Sequence, residues 1–516
     1  MPQLRRATRP AVLLLALLRG TALTTPDAQA ATATPEQAQA AGQEVQDWFR
    51  SLLAAGWAPP DSVVEVHPEG DAYALRLPLD ADAAVTGQLA AQDDGRWTLS
   101  GVAFASPTSF TSGPRSVALT AMSQATSGVL DPTYTTASTV QQRIEGLKVA
   151  TTGGDVQQTY QVARSTSQIT LSPAAQGRLD LAQEGMLDEL TLDQQGSGPA
   201  AHITAGHVRF TGQTIGILQD RGPAFFREMS GLLRAFGAEM QGSAVPGGAG
   251  SGDAPSRPSF LVQHRTQLRT VLDEFDGLFS SLQAEAGLDT VQVQAGNLTV
   301  VAKTMRLAFG LDTADGPVKA YLDLGTDGLS IPGLPLGPDT DLVPTAIHIR
   351  PTLAGVNVGD LIAYDRQVLD KLSDDTGTAP PPDPAPLYAH GGLVIGLDAV
   401  SFNLGPTAFA GHGTVTATAP QAYIGEGQVT ATDLDALIDR AKQDPAMQQF
   451  LAVLTVAKGI GHTSGNQTVW DITYRDGQAL VNGVDVMVLA GAAGGTAHGA
   501  PAPHAVVPRT QKAPKP

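Results

Sequence analysis

The stretch V-Q-V-Q-A-G-N-L-T-V-V-A-K-T-M-R-L-A-F-G-L-D, residues 291–312, decides how the chain is read. Val291 and Val293, Leu298 and Val300, then Met305, Leu307 and Phe309 recur at every second position. Successive side chains of a strand point to opposite faces, so this period marks strands with one apolar face. The turn Thr313-Ala314-Asp315-Gly316 then sends the chain back through Val318, Tyr321 and Leu324, as an antiparallel meander requires.

Just upstream, Leu268, Val271, Leu272, Phe275, Leu278, Phe279 and Leu282 keep a spacing of three and four, which predicts one helix from about Leu261 to Ala286. Its apolar stripe needs a partner, and the neighbouring sheet supplies one. Further back, Leu190 and Leu192, Ile203 and Ala205, and Val208 and Phe210 read as short strands separated by turns such as Gly196-Ser197-Gly198-Pro199. A second helix is expected over Pro223–Met240, where Phe225, Phe226, Met229, Leu232, Leu233 and Phe236 form one stripe. A third spans residues 35–57, with Val45, Trp48, Phe49, Leu52 and Leu53 at helical spacing, followed by strands from Val64 to Leu99.

Toward the C-terminus, Gly355-Val356-Asn357-Val358-Gly359-Asp360-Leu361 and Gly427-Gln428-Val429-Thr430-Ala431-Thr432-Asp433-Leu434 each lead into a helix, the second running to about residue 458. Thr432 or Asp433 is expected to cap the free amides of its first turn. Trp470, Ile472 and Tyr474, the turn Asp476-Gly477, and Leu480, Val484 and Val486 predict a closing hairpin.

The fold class that follows is α+β: extended antiparallel β-sheet meanders with amphipathic helices packed on one face, in several domains. The expected divisions are a signal peptide at 1–30, a small α+β unit at 31–106 and a β-rich segment ending in a helix at 107–241. After a linker at 242–258 come a helix with antiparallel sheet at 259–375 and a Pro-rich linker at 376–387. A β-rich segment with helix and hairpin at 388–489 precedes a disordered tail at 490–516.

The N-terminus predicts export. Arg5, Arg6 and Arg9 precede an apolar run from Ala11 to Leu18, and Ala28-Gln29-Ala30 offers a small-x-small cleavage site, which places the mature chain in the periplasm or outside the cell. No apolar run reaches the roughly 18 residues that a membrane-spanning helix needs, so none is expected in the mature chain. Lys and Arg number 32 against 50 Asp and Glu, a net charge of −18, with no basic cluster to follow a phosphate backbone. Nucleic acid is therefore excluded as a partner. Zero Cys removes disulfides, thiolate metal sites and cysteine nucleophiles.

Motifs for chemistry are equally sparse. Gly328-Leu329-Ser330-Ile331-Pro332-Gly333 misplaces the second Gly of a hydrolase elbow and puts a Pro before it. His202 and His207, five apart, are expected on opposite faces of their strands, which argues against a metal pair. Asp323-Leu324-Gly325-Thr326-Asp327-Gly328 begins like a calcium loop but has Leu334 where the closing acid belongs, and reads instead as a hairpin turn. No catalytic residue, metal site or cofactor is assigned. An exported hydrolase of unrecognised type is the alternative, and an outer-membrane barrel is disfavoured by the helices, the linkers and the few aromatics.

The export signal, the meanders with Asp-Gly turns, the helices entered through Gly-x-Val-x-x-Asp-Leu and the final Asp476-Gly477…Val481-Asn482-Gly483-Val484 hairpin together resemble bacterial envelope proteins of the AsmA and YdgA kind. The resemblance covers roughly 140–488 and rests on pattern. It implies a role in envelope maintenance, with a lipid or an envelope protein as partner, and for some such proteins a lipid-holding β groove. The chain departs from that pattern in that no membrane anchor is expected, which argues against transport between membranes. The resulting expectation is a non-enzymatic binding or scaffolding protein whose sheet keeps an open apolar groove, lined by Leu298, Val300, Leu307 and Phe309.

Overall fold

Strand-forming alternation runs through most of the chain, and the computed structural model gathers all of it into a single antiparallel sheet of 22 strands. It describes residues 34–487 apart from 46–62, 233–259, 334–341, 372–381 and scattered shorter stretches. The expected signal peptide, the linker at 242–258 and the tail at 490–516 lie outside the described residues, as do most of the helices expected at 35–57 and 223–240.

Strands β1 (Glu65–Glu69), β2 (Ala72–Pro78), β3 (Ala84–Ala91), β4 (Trp97–Phe104), β5 (Thr108–Ser112), β6 (Arg115–Thr120) and β7 (Ser123–Asp131) open the sheet. Six long strands follow: β8 (Thr136–Gly153), β9 (Val156–Pro173), β10 (Arg178–Gln195), β11 (Ala201–Leu218), β12 (Ser281–Ala295) and β13 (Leu298–Asp312). The first four of these have 18 residues each, about 60 Å of extended chain, against a usual strand of about 5–6 residues. Strands β14 (Lys319–Asp327), β15 (Ala346–Ala354), β16 (Leu393–Leu404), β17 (Thr407–Ala419) and β18 (Ala422–Thr432) continue the meander. It closes with β19 (His462–Ser464), β20 (Gln467–Arg475), β21 (Gln478–Val481) and β22 (Val484–Asp485). From β8 to β18 each strand pairs with the next. The strands flanking 242–258, β11 and β12, pair directly, as do β15 and β16 flanking 376–387.

The helices are α1 (Phe260–Gln263), α2 (Arg265–Phe275), α3 (Val358–Lys371), α4 (Leu434–Gln443) and α5 (Gln448–Ile460). This corrects the α+β expectation: the molecule is predominantly one antiparallel sheet, and its few helices form no layer over it. The helix expected over 261–286 ends at Phe275, because Gly277 adopts φ +68° and turns the chain into β12 from Ser281. Leu282 satisfies both spacings, and it belongs to the strand pattern Leu282, Ala284, Ala286, Leu288. The helix expected to 458 breaks between Gln443 and Gln448, around Asp444-Pro445. Asp433 does not cap it: the residue sits at φ +57° with its carboxylate accepting from Asn466 Nδ2 at 3.0 Å and no side-chain bond to the helix.

One feature organises the long strands. In each of β8 to β13 the apolar alternation slips by one residue: Ile144 to Leu147, Val162 to Ser165, Leu187 to Leu190, Ala205 to Val208, Leu288 to Val291, and Ala302 to Met305. The pairing registers put these slips on one line across the sheet, with Ala163, Glu189, Gly206, Thr290 and Lys303 facing one another in turn. Every second strand carries a left-handed residue there: Gly146 at φ +61°, Glu189 at +54°, Thr290 at +54°, and Gly328, just past β14, at +63°. Because neighbouring strands slip together, register is the same on both sides, as with Asp188↔His207 and Leu190↔Ala205. Ala205 and Val291 pack in one core with Leu190, Val208 and Leu288, so the apolar residues keep one face across the crease although their parity changes.

The crease overturns two local expectations. His202 and His207 fall on the same face, each accepting or donating at Nδ1 with an aspartate of β10, Asp193 at 2.6 Å and Asp188 at 2.8 Å. Asp323–Asp327 forms no hairpin turn but the end of β14.

Candidate functional site

With the crease accounted for, the two faces of β8 to β15 differ in charge. The face carrying Ile144, Leu187, Phe210, Leu307 and Leu324 presents no charged side chain among the described residues of these strands outside the crease line. The other face carries the charges. There Asp323, 2% exposed, meets His348 Nε2 at 2.8 Å, Arg306 at 3.7 Å and Arg350 at 3.8 Å. Arg306 also pairs with Glu285 at 3.0 Å, and that carboxylate, more than Asp323, holds the guanidinium even more firmly protonated than usual. Arg350 lies 4.7 Å from the centre of the Tyr321 ring.

A row of register partners runs along the apolar face through twelve strands. It begins Gln142, Ser167, Gly185, Phe210, Ala286, Leu307 and continues Leu324, Ile349, Val400, Gly411, Val429, Trp470. Both margins of this face are covered. Against one, Val271 of α2 packs in a core with Leu171, Leu179 and Phe225, joined by Leu282 and Leu311. Helix α3 backs α2 through Arg366 to Asp273 at 2.6 Å and through Asp370 to Arg265 and Arg269. Against the other, Leu434, Leu437 and Ile438 of α4 and the apolar side of α5 pack on Phe409, Val429, Ala431 and Trp470.

Between these margins the face is open. Leu307 is 43% exposed and Phe309 41%, beside Leu322, Leu324 and Ile349 on the next two strands at 37–39%. Leu307 faces Leu324, Phe309 faces Leu322, and Leu324 faces Ile349. Ile395 and Val415, opposite one another on β16 and β17, extend the stripe. From β13 to β17 it measures about 19 Å across the strands.

Of the residues expected to line a groove, Leu307 and Phe309 form the β13 edge of this floor. Leu298, also exposed, and Val300 share its face but stand beyond the crease, near the other end of β13. Of the floor's other members, the sequence pattern named Leu324 in the returning strand, whereas Leu322 and Ile349 were not singled out. The hollow of about 450 Å³ on the charged face, lined in part by Gln168, Glu184, Thr211, Glu285 and Tyr321, has no sequence signal, since β9 to β12 and β14 contribute to it jointly.

Among the described residues no group of three or more His, Asp or Glu is placed to hold a metal ion, and no helix is long and apolar enough to cross a membrane. No family model matches the chain, and no curated protein or solved structure matches it.

Proposed function

We propose that the protein is an exported, non-enzymatic binding protein of the bacterial envelope that holds an acyl-type ligand on the apolar floor between its two helical margins. The observation that carries this reading is the exposed, uncharged stripe Leu307, Phe309, Leu322, Leu324 and Ile349 in a chain of net charge −18. A contiguous exposed apolar patch is costly unless something occupies it. A single acyl chain spans about half of the ~30 Å hydrocarbon core of a bilayer, which fits within a floor about 19 Å long. Each buried methylene contributes about 0.8 kcal/mol, so even partial occupancy holds such a chain.

The test is native mass spectrometry of the chain purified from cells without detergent, with solvent extraction of what accompanies it. A stoichiometric lipid-sized adduct is expected, and it should vanish in Leu307→Glu/Leu324→Glu, which places two charges on the floor without disturbing a packed core. A bare chain that also takes up no added fatty alcohol or fatty acid overturns the reading.

A further inference from the structure

The hollow on the charged face, about 450 Å³, has the size of a small-molecule site. Two register rows build it: Ala182, Gln213 and Gln283 in one, Glu184, Thr211 and Glu285 in the other. Ala182 and Thr211 are short, and the longer side chains stand around them. On β13 the rows continue with Gly310 and Ala308. A Cβ at Gly310 would lie 2.3 Å from the Tyr321 ring, so this ring of β14 lies over the β13 backbone and reaches the hollow as its end wall. Arg350, 4.7 Å from the ring centre, is itself within 3.8 Å of Asp323 and of Asp398, which fixes the wall in place.

The polar groups are arranged for hydrogen bonds rather than for charge. Glu285 is already neutralised by Arg306 at 3.0 Å. Glu184, Gln213 and Gln283 make no hydrogen bond or ion pair with the described residues, and among these residues no Lys, Arg or His lines the hollow.

We infer that this hollow is a second binding site, on the face opposite the acyl floor and independent of it, and that it takes an uncharged oligosaccharide. An anion would meet Glu184 and no cation. An apolar molecule would strip water from amides and carboxylates without replacing it. A cation would gain only an exposed ion pair with Glu184, worth under about 1 kcal/mol. Neighbouring hydroxyls satisfy all of these groups at once, since each amide both donates and accepts and the carboxylate accepts twice. The C–H face of a sugar ring packs on Tyr321. From β10 to the ring over β13 is about 14 Å, longer than one sugar ring.

The test is saturation-transfer NMR on the full chain, titrated separately with cellotriose, maltotriose and triacetylchitotriose, beside spermidine as a cation and citrate as an anion. At least one trisaccharide is expected to bind, more tightly than spermidine or citrate. Tyr321→Ala and Gln213→Ala/Gln283→Ala should each weaken it about tenfold, the equivalent of one net hydrogen bond or ring contact. Tyr321→Phe should keep the ring and the affinity. Glu184→Gln should leave binding nearly unchanged, because an amide also pairs with hydroxyls. Gln213 and Gln283 are exposed, so their double variant reports even if Tyr321→Ala fails to fold. The inference is overturned if none of the three trisaccharides binds, if binding survives the double variant at full strength, or if spermidine binds best and is lost in Glu184→Gln. None of these outcomes touches the acyl-binding role.

Discussion

Ile144 and Met305 belong to one row of one face, joined through Ser165, Leu187, Val208 and Leu288, yet Ile144 is 1% exposed and Met305 40%. On β8 to β11 the apolar face is filled by a core that also holds Phe104 and Phe110 of β4 and β5 and Leu79 and Ala83 of the β2–β3 connection. On β13 and β14 burial is reversed, with Ala308 and Asp323 of the opposite face at 2–3% and the leucines outside. Alternation therefore states which residues share a face, but not which face is covered. Coverage comes from residues far away in sequence, and that is the property a binding surface depends on.

The sharpest test of this contrast is paired truncation. Leu187→Ala should cost about 3 kcal/mol in urea unfolding, because its cavity lies in a packed core. Met305→Ala in the same row should cost less than about 0.5 kcal/mol, and equal costs would erase the distinction. On the reversed side, Asp323→Ala should cost about 2 kcal/mol by removing the acceptor of His348 and one of the two carboxylates that Arg306 and Arg350 each face. If it is neutral, the charged face is not the buried one there. At the boundary, Thr290→Gly should raise stability by about 1 kcal/mol, since a β-branched residue at φ +54° is strained and glycine is not.

The smallest effect concerns the margin. Burial raises the Asp365 carboxyl on α3 above the usual carboxylate range. A raised folded-state pKa means a stability contribution that is full below the unfolded value and lost as pH rises through the folded one. Asp365→Asn should therefore melt slightly higher than the parent at neutral pH and lose that advantage in mild acid. Thermal scans over this range check the sign.

Most of the strands were legible because their alternation is local. Leu190, Leu192, Ile203, Ala205, Val208 and Phe210 even display the phase slip, two odd positions followed by two even ones on β11, but a slip in one strand looks like a loop until its neighbours are known to share it. The helix over 261–286 was overextended for a related reason: spacings of two and of three to four overlap in a short window, and Gly277 alone marks the change. The Asp323 cluster could not be read at all, since its partners His348 and Arg350 lie on another strand and meet it only through register. Leu307 and Phe309 were found because they alternate; that they are open rather than core was not in the pattern.

The crease has a consequence for how such a sheet can change size. Its left-handed residues fall on β8, β10, β12 and the end of β14, so the unit that repeats is a pair of strands with one special position, not a single strand. Copying or excising one complete hairpin preserves both the up-down order and the alternation of strained and relaxed strands. The architecture is therefore modular in steps of two, and its span can be lengthened or shortened by hairpin duplication without redesigning either end.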